Sequence, residues 1–232
     1  ECKVTPGVGG SIWFSWKNMS IGEAQIEIWE PEQRLRTYWE MPSLDGSGAM
    51  ARISDEYTLS ASGGATTLRV VSSGFGKHPS WDGMYDSIRR GWNFELRGLQ
   101  HYLERHRGQD RHVAWVQQKL AMPLDAMLDR LFGPDGFNAT PSREKISTGA
   151  RWQGTNVDGA PLTGEALHVD PTGVIVIRLD QWGGALLRIE KETCSPGDHG
   201  GLWLWFSIYG EDPAQVARLE AGWKARCEEL FG

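Results

Sequence analysis

Between Gly10 and Ser73 apolar and polar residues trade places with a period of two. Ile12, Phe14 and Trp16 alternate with Ser11, Trp13 and Ser15. Ala24, Ile26 and Ile28 alternate with Gln25, Glu27 and Trp29. After a turn at Glu30–Pro31–Glu32, Leu35, Thr37, Trp39 and Met41 fall on one side, and RISDEYTLSA and TTLRVVSS follow across Ser62–Gly63–Gly64. Successive strand side chains point to opposite faces, so this pattern predicts an antiparallel meander with one wet face. The Gly63–Gly64 pair suits a tight hairpin between the last two strands.

The period then changes. From about Asp82 to His106, Tyr85, Ile88, Trp92, Leu96, Leu99 and Leu103 recur at spacings of three and four. That is the buried stripe of one long helix, with Asp86, Arg89, Arg90, Glu95, Arg97 and Glu104 opposite. Ser80 or Asp82 is placed to cap its start, and Gly108 to end it. Gly91 and Gly98 inside it each cost about 1 kcal/mol of helix propensity relative to Ala, which implies either close approach to the sheet or room for a ligand.

Arg107–Asp110 reads as a domain boundary, dividing the chain into residues 1–108 and 109–232. Beyond it come a strand with Val113, Trp115 and Gln117 in alternation and a short helix burying Leu124, Met127, Leu128 and Leu131. Five strands follow, near Gly149–Val157, Gly164–Val169, Val174–Leu179, Ala185–Glu190 and Leu202–Tyr209. Turns are expected at Asp158–Gly159, Pro171–Thr172–Gly173 and Trp182–Gly183–Gly184, with a longer loop at Cys194–Gly201. A final helix, about Asp212 to Leu230, carries the stripe Val216, Leu219, Trp223, Cys227 and Leu230. Both halves therefore end a strand meander with a long amphipathic helix, an α+β plan in which a helix lies across a curved antiparallel sheet. Such a plan leaves room for a cavity between the layers.

The first half also carries a specific set of motifs in a specific order. A strand ends in Glu30–Pro31, the next ends in Trp39–Glu40, the last ends in Ser73–Gly74–Phe75–Gly76, and a helix carries Gly91–Trp92 through Leu96, Leu99, Tyr102, Leu103 and Glu104. Over roughly Gly9 to His106 this resembles the activator-of-heat-shock-ATPase homologues, part of the START-like, Bet v 1-like (SRPBCC) helix-grip superfamily. The resemblance implies tandem helix-grip units, the second more divergent. It also implies that the first lacks the usual opening strand and two short helices, and that a segment natural to the chain precedes it.

A superfamily of this kind includes carriers of apolar molecules, cyclases and dehydratases, and chaperone-associated proteins. The leading expectation is a binding protein that holds an apolar or aromatic small molecule between sheet and helix. Strand parity and the helical stripe select Phe14, Ile28, Trp39, Leu68, Tyr85, Ile88 and Trp92 as its wall; filling of the core by the same residues is the competing expectation. A second reading is protein interaction, with a chaperone partner or through self-association. A third is a cavity enzyme, for which His168 (on the parity of Ala166), His101 and the strand-borne set Asp55, Glu56 and Tyr57 are the available groups.

Composition narrows these readings. Twelve Trp in 232 residues is an aromatic load that packs cores and also lines ring-binding cavities. A net charge of −6 gives no general attraction to nucleic acid. The local set Arg97, His101, Arg105, His106, Arg107, Arg111 and His112 reads as a solvated helix end with charges suited to its dipole. Three cysteines without a CxxC or a Cys–His cluster exclude a disulfide framework and a zinc knuckle, and fit a reducing, cytoplasmic setting with Cys227 an inert helix thiol. No apolar run is long enough for a membrane span, and no signal-peptide pattern is present. Gly7, Gly9 and Gly10 run into a strand without a Walker lysine, and no HExxH or GxSxG occurs, so neither a cofactor, a metal nor a catalytic residue is expected from motif.

Overall fold

The computed structural model describes residues 2–16, 19–119, 122–170, 173–192 and 201–232. Pro171, Thr172 and Cys194, which the sequence places in turns and a loop, lie outside the described residues. The chain divides into two compact units, Glu1–Tyr85 and Asp86–Gly232.

The first unit is a six-stranded antiparallel sheet in simple meander order: β1 (Cys2–Thr5), β2 (Ser11–Trp16), β3 (Met19–Glu30), β4 (Arg34–Pro42), β5 (Met50–Ser62) and β6 (Ala65–Ser73). Gly63 and Gly64 both adopt positive φ, the geometry of a two-residue hairpin whose twist matches its strands. They set the register Ser62↔Ala65 through Ser54↔Ser73. Directly paired residues share a face, so one face of this sheet carries Ile26, Thr37, Ile53, Leu35, Trp39, Tyr57, Leu59 and Leu68. The opposite face is laced by ion pairs of Arg34 with Glu56 and of Arg36 and Arg52 with Glu27.

The Gly-Phe-Gly segment ends β6 for steric reasons. Gly74 takes φ +96°, where a Cβ would strike the carbonyl of Arg52, and a Cβ on Gly76 would overlap the indole of Trp81. Trp81 is buried, and Phe75 packs edge-on against both Trp81 and Tyr85. The nitrogen Nδ1 of His78 caps the short Pro79–Trp81 turn by accepting from the Ser80 N–H.

Helix α1 (Asp82–Arg105) continues from that turn and from Asp86 onward belongs to the second unit. The expected stripe is not its buried side. Phe94, Gly98 and His101 are buried, whereas Tyr85, Leu99 and Leu103 are 52%, 40% and 49% exposed. The reason is a better contact elsewhere on the helix, where Phe94 meets the Trp205 ring edge-on and Arg90 reaches Glu190. Neither Gly91 nor Gly98 marks a close approach, since a Cβ on either would meet nothing within 4 Å.

The second sheet has the order β7-β12-β11-β10-β9-β8, from β7 (Arg111–Lys119), β8 (Arg151–Thr155), β9 (Pro161–Asp170), β10 (Val174–Leu179), β11 (Leu186–Glu192) and β12 (Gly201–Tyr209). Helix α2 (Leu124–Phe132) follows β7, and α3 (Pro213–Phe231) closes the chain with Asp212 capping the Ala214 N–H. The strand, short helix, meander and long helix of this unit come in helix-grip order. Taken together, two curved antiparallel sheets, each followed by a long helix, make a tandem helix-grip-like architecture. Among the described residues, no helix is long and apolar enough to cross a membrane.

Candidate functional site

The two units differ in how completely their apolar faces are covered. Between α3 and its sheet, Trp223, Phe137, Trp152 and Phe206 are all fully buried. Phe137 packs 4.2 Å from Trp223 and 5.5 Å from Trp152, and Phe206 stacks 6.2 Å from Trp223, centroid to centroid. The indole N–H of Trp223 donates to Oδ1 of Asn156 at 3.0 Å, so even the polar edge of this ring is satisfied inside the layer. In this unit the layer between helix and sheet is filled with aromatic side chains.

Among the described residues, a larger and a smaller cleft lie at the margin of that core. The larger, about 660 Å³, is lined by Arg130, Asp135, Arg226 and Glu229 among others. Its cations are already engaged: Arg130 donates to the Leu230 carbonyl and Arg226 to the Asp135 carbonyl, at 3.1 and 2.8 Å. The smaller, about 200 Å³, reaches Asn156 and Trp223.

None of the seven wall candidates is buried. Phe14, Ile28, Trp39 and Leu68 are half-buried on the first sheet, Tyr85 is exposed at the start of α1, and Ile88 and Trp92 are half-buried on the part of α1 in the second unit. The register brings Trp39 and Leu68 to the apolar face with Ile53, Leu59 and Tyr57. It does not bring Ile28 there. An extra residue, Glu27, interrupts the pairing so that Ile26 faces Thr37 while Ile28 faces Arg36. A bulge of this kind turns every following side chain over, and Trp29, opposite Leu35, takes the position on the apolar face.

A small polar group shares this face. Asp55 Oδ1 accepts a hydrogen bond from the Ser72 hydroxyl, and Tyr57 lies two residues along the same strand on the same side. Burial, and then the Asp55 carboxylate, push the Tyr57 phenol well above its ordinary range. Glu56 points the other way, held below the usual carboxylate range by the Arg34 guanidinium. Ser72 was not singled out from the sequence, yet the two-residue hairpin at Gly63–Gly64 is enough to place it opposite Asp55.

The histidines move furthest from expectation. His168 does not share a face with Ala166, because β9 also carries a bulge: Ala166 pairs with Ile177 and His168 with Val176. His101 and His106 are not a solvated helix end. They are 7% and 4% exposed, with ring centroids 4.9 Å apart. Among the described residues no group of three or more His, Cys, Asp or Glu is arranged to hold a metal ion.

No family model matches the sequence, and no curated protein matches it. Solved structures do. The chain is similar to protein MLL2253 from Mesorhizobium loti, at 16% identity and TM-score 0.40, over 51% of this chain and 93% of that one. It is similar to the di-domain ARO/CYC BexL of the BE-7585A biosynthetic pathway, at 14% identity and TM-score 0.37, over 97% of this chain and 80% of that one. It is also similar to DynU16, described as a putative protein in the dynemicin biosynthetic locus, at 18% identity and TM-score 0.33, over 97% and 82%. Likenesses of this strength carry no argument about activity.

Proposed function

We propose that the protein binds an apolar or aromatic small molecule, and that the apolar face of the first sheet supplies the binding surface. The observation that carries this reading is the contrast in coverage. The second unit seals Trp152, Trp223, Phe137 and Phe206 completely, while the first leaves Trp29, Trp39, Leu35 and Leu68 half-buried on a face rich in aromatic and aliphatic side chains. Aromatic side chains supply large contact area to a ring-bearing ligand, and a few polar groups then orient it. Asp55 and Tyr57 are the polar groups placed to do so. The motif resemblance of the first half to the activator-of-heat-shock-ATPase homologues supports membership of the START-like superfamily, in which this reading is at home.

A second reading is favoured by the same polar pair. A carboxylate beside a phenol of raised pKa, on an apolar surface, is a candidate acid–base pair for a cyclase- or dehydratase-type reaction. The two readings separate experimentally. Titration of the protein with the apolar fluorophore 1-anilinonaphthalene-8-sulfonate tests the surface: binding by the wild type and at least about ten-fold weaker binding by Trp39→Ala are expected. Equal binding by the two proteins would remove Trp39 from the surface and the reading with it. Turnover of a bound compound that is lost in Asp55→Asn, with binding retained, would select the enzyme.

A further inference from the structure

His101, near the end of α1, and His106, just beyond it, face one another with their Nε2 atoms 3.2 Å apart. Each ring has one further partner. His101 Nε2 lies 2.7 Å from the carbonyl oxygen of Gly184, and His106 Nδ1 lies 2.8 Å from Oε1 of Gln109. A carbonyl only accepts, so His101 carries its proton on Nε2 and donates to Gly184. With the Gln109 oxygen toward it, His106 carries its proton on Nδ1, and its Nε2 lone pair is directed at the His101 N–H. The one His101 Nε2–H is thus shared between the Gly184 oxygen and the His106 Nε2 lone pair.

The surroundings oppose a second proton on His101. From α1 itself Arg105 faces the pair, and Tyr102 lies on the same turn; from β10 comes Arg178; from β12 comes Tyr209, whose ring stacks on His106 at 4.3 Å and 9°. No carboxylate is among these neighbours, and Arg178 is itself paired with Glu165. The vacant site on His106 is Nε2, so a proton there would bring N–H against N–H at 3.2 Å. Burial first, and then the neighbouring His106 ring with the Arg105 and Arg178 guanidinium groups, hold His101 below the ordinary imidazole value, against the opposing pull of its bond to Gly184.

The partner on the far side is a turn with an unusual backbone. Trp182, Gly183 and Gly184 have φ of 50°, 66° and 99°, three consecutive residues in the left-handed region, and this brings the Gly184 carbonyl to His101. The helix end, the segment after it and the β10–β11 turn are thereby held by one short chain of hydrogen bonds.

We propose that His101 and His106 form a proton-sensitive latch that fastens the C-terminal end of α1 to the Trp182–Gly184 turn and releases it on acidification. The sign follows from the lowered His101 value. In the unfolded or opened chain an imidazole takes up its proton near about pH 6.5, earlier than the latched form does, so the latch is at full strength above that pH and weakens below it.

Histidine titration by NMR on the whole protein, with amide exchange at His101–Arg105 and Trp182–Gly184, tests this. The expected result is a His101 titration below the ordinary imidazole value. Protection at both segments, corrected for the intrinsic pH effect, should be unchanged above about pH 6.5 and fall, by at most about ten-fold per pH unit, as the pH drops from there toward 5. His101→Gln keeps a donor for Gly184 and cannot titrate in this range, and should retain protection at pH 5. A His101 that titrates at the ordinary value in the wild type overturns the latch, as does protection that does not change with pH. The wild-type titration decides the matter even where the variant fails to fold.

Discussion

Arg90 and Glu190, one hundred residues apart in sequence, meet at 3.1 Å with only 12% and 6% of their side chains exposed. Arg188, on the same side of β11, holds the same carboxylate and lies 4.6 Å over the ring of Phe94. Removing one member of a buried ionic group leaves the others charged and dry, which costs more than the assembled group contributes. Glu190→Ala should therefore destabilise the protein by about 3–5 kcal/mol in urea unfolding, and Glu190→Met, with Arg90 and Arg188 also made apolar, by much less. Equal losses in the two variants would mean that charge is not what is at stake.

Gly91 carries a simpler expectation. A methyl group there meets no atom within 4 Å, so the position incurs the helix cost of glycine without a steric reason for it. Gly91→Ala should raise stability by up to about 1 kcal/mol. A loss of stability on this substitution would show that α1 needs glycine for something other than room.

The Trp223–Asn156 pair tests whether the second core is sealed. Trp223→Phe should cost about 1–3 kcal/mol for the unpaired Asn156 oxygen, plus the packing of the lost ring. Asn156→Ala should cost less than Trp223→Phe, and the double variant less than their sum. Additive losses would show that the two side chains do not act together.

Cys227 is fully buried on α3, and burial pushes its thiol up to about 12. Only thiolate reacts, so Cys227 should resist alkylation at pH 8 in the native state and become modified only in denaturant, while exposed Cys2 reacts at once. Peptide mapping after brief native labelling distinguishes the two. Rapid native labelling of Cys227 would mean that the α3 layer opens readily.

Much of this fold could be read from residue pattern. The strands of the meander, the Gly63–Gly64 hairpin, α2 and the α3 stripe through Trp223 and Cys227 all follow from period and turn chemistry. What periodicity cannot show is where one extra residue slips into a strand. Glu27 in β3 and Leu167 in β9 each do so, and each turns the next residue, Ile28 or His168, onto the opposite face. Nor can an apolar stripe decide which side of a helix is covered. On α1 the contacts of Phe94 with Trp205 and of Arg90 with Glu190 outweigh the stripe of Leu99 and Leu103. His101 and His106 look like a charged helix end because sequence shows neither the Gly184 carbonyl nor the Tyr209 ring waiting for them.

The binding surface on the first sheet is tested most directly by native mass spectrometry of the whole protein purified from its own organism, with any bound compound identified by fragmentation. An apolar or aromatic small molecule should accompany the wild type and be lost from Trp39→Ala, while Trp223→Phe, in the sealed second core, keeps it. A wild-type protein that carries no compound and takes none up from an extract of its own cells would contradict the account.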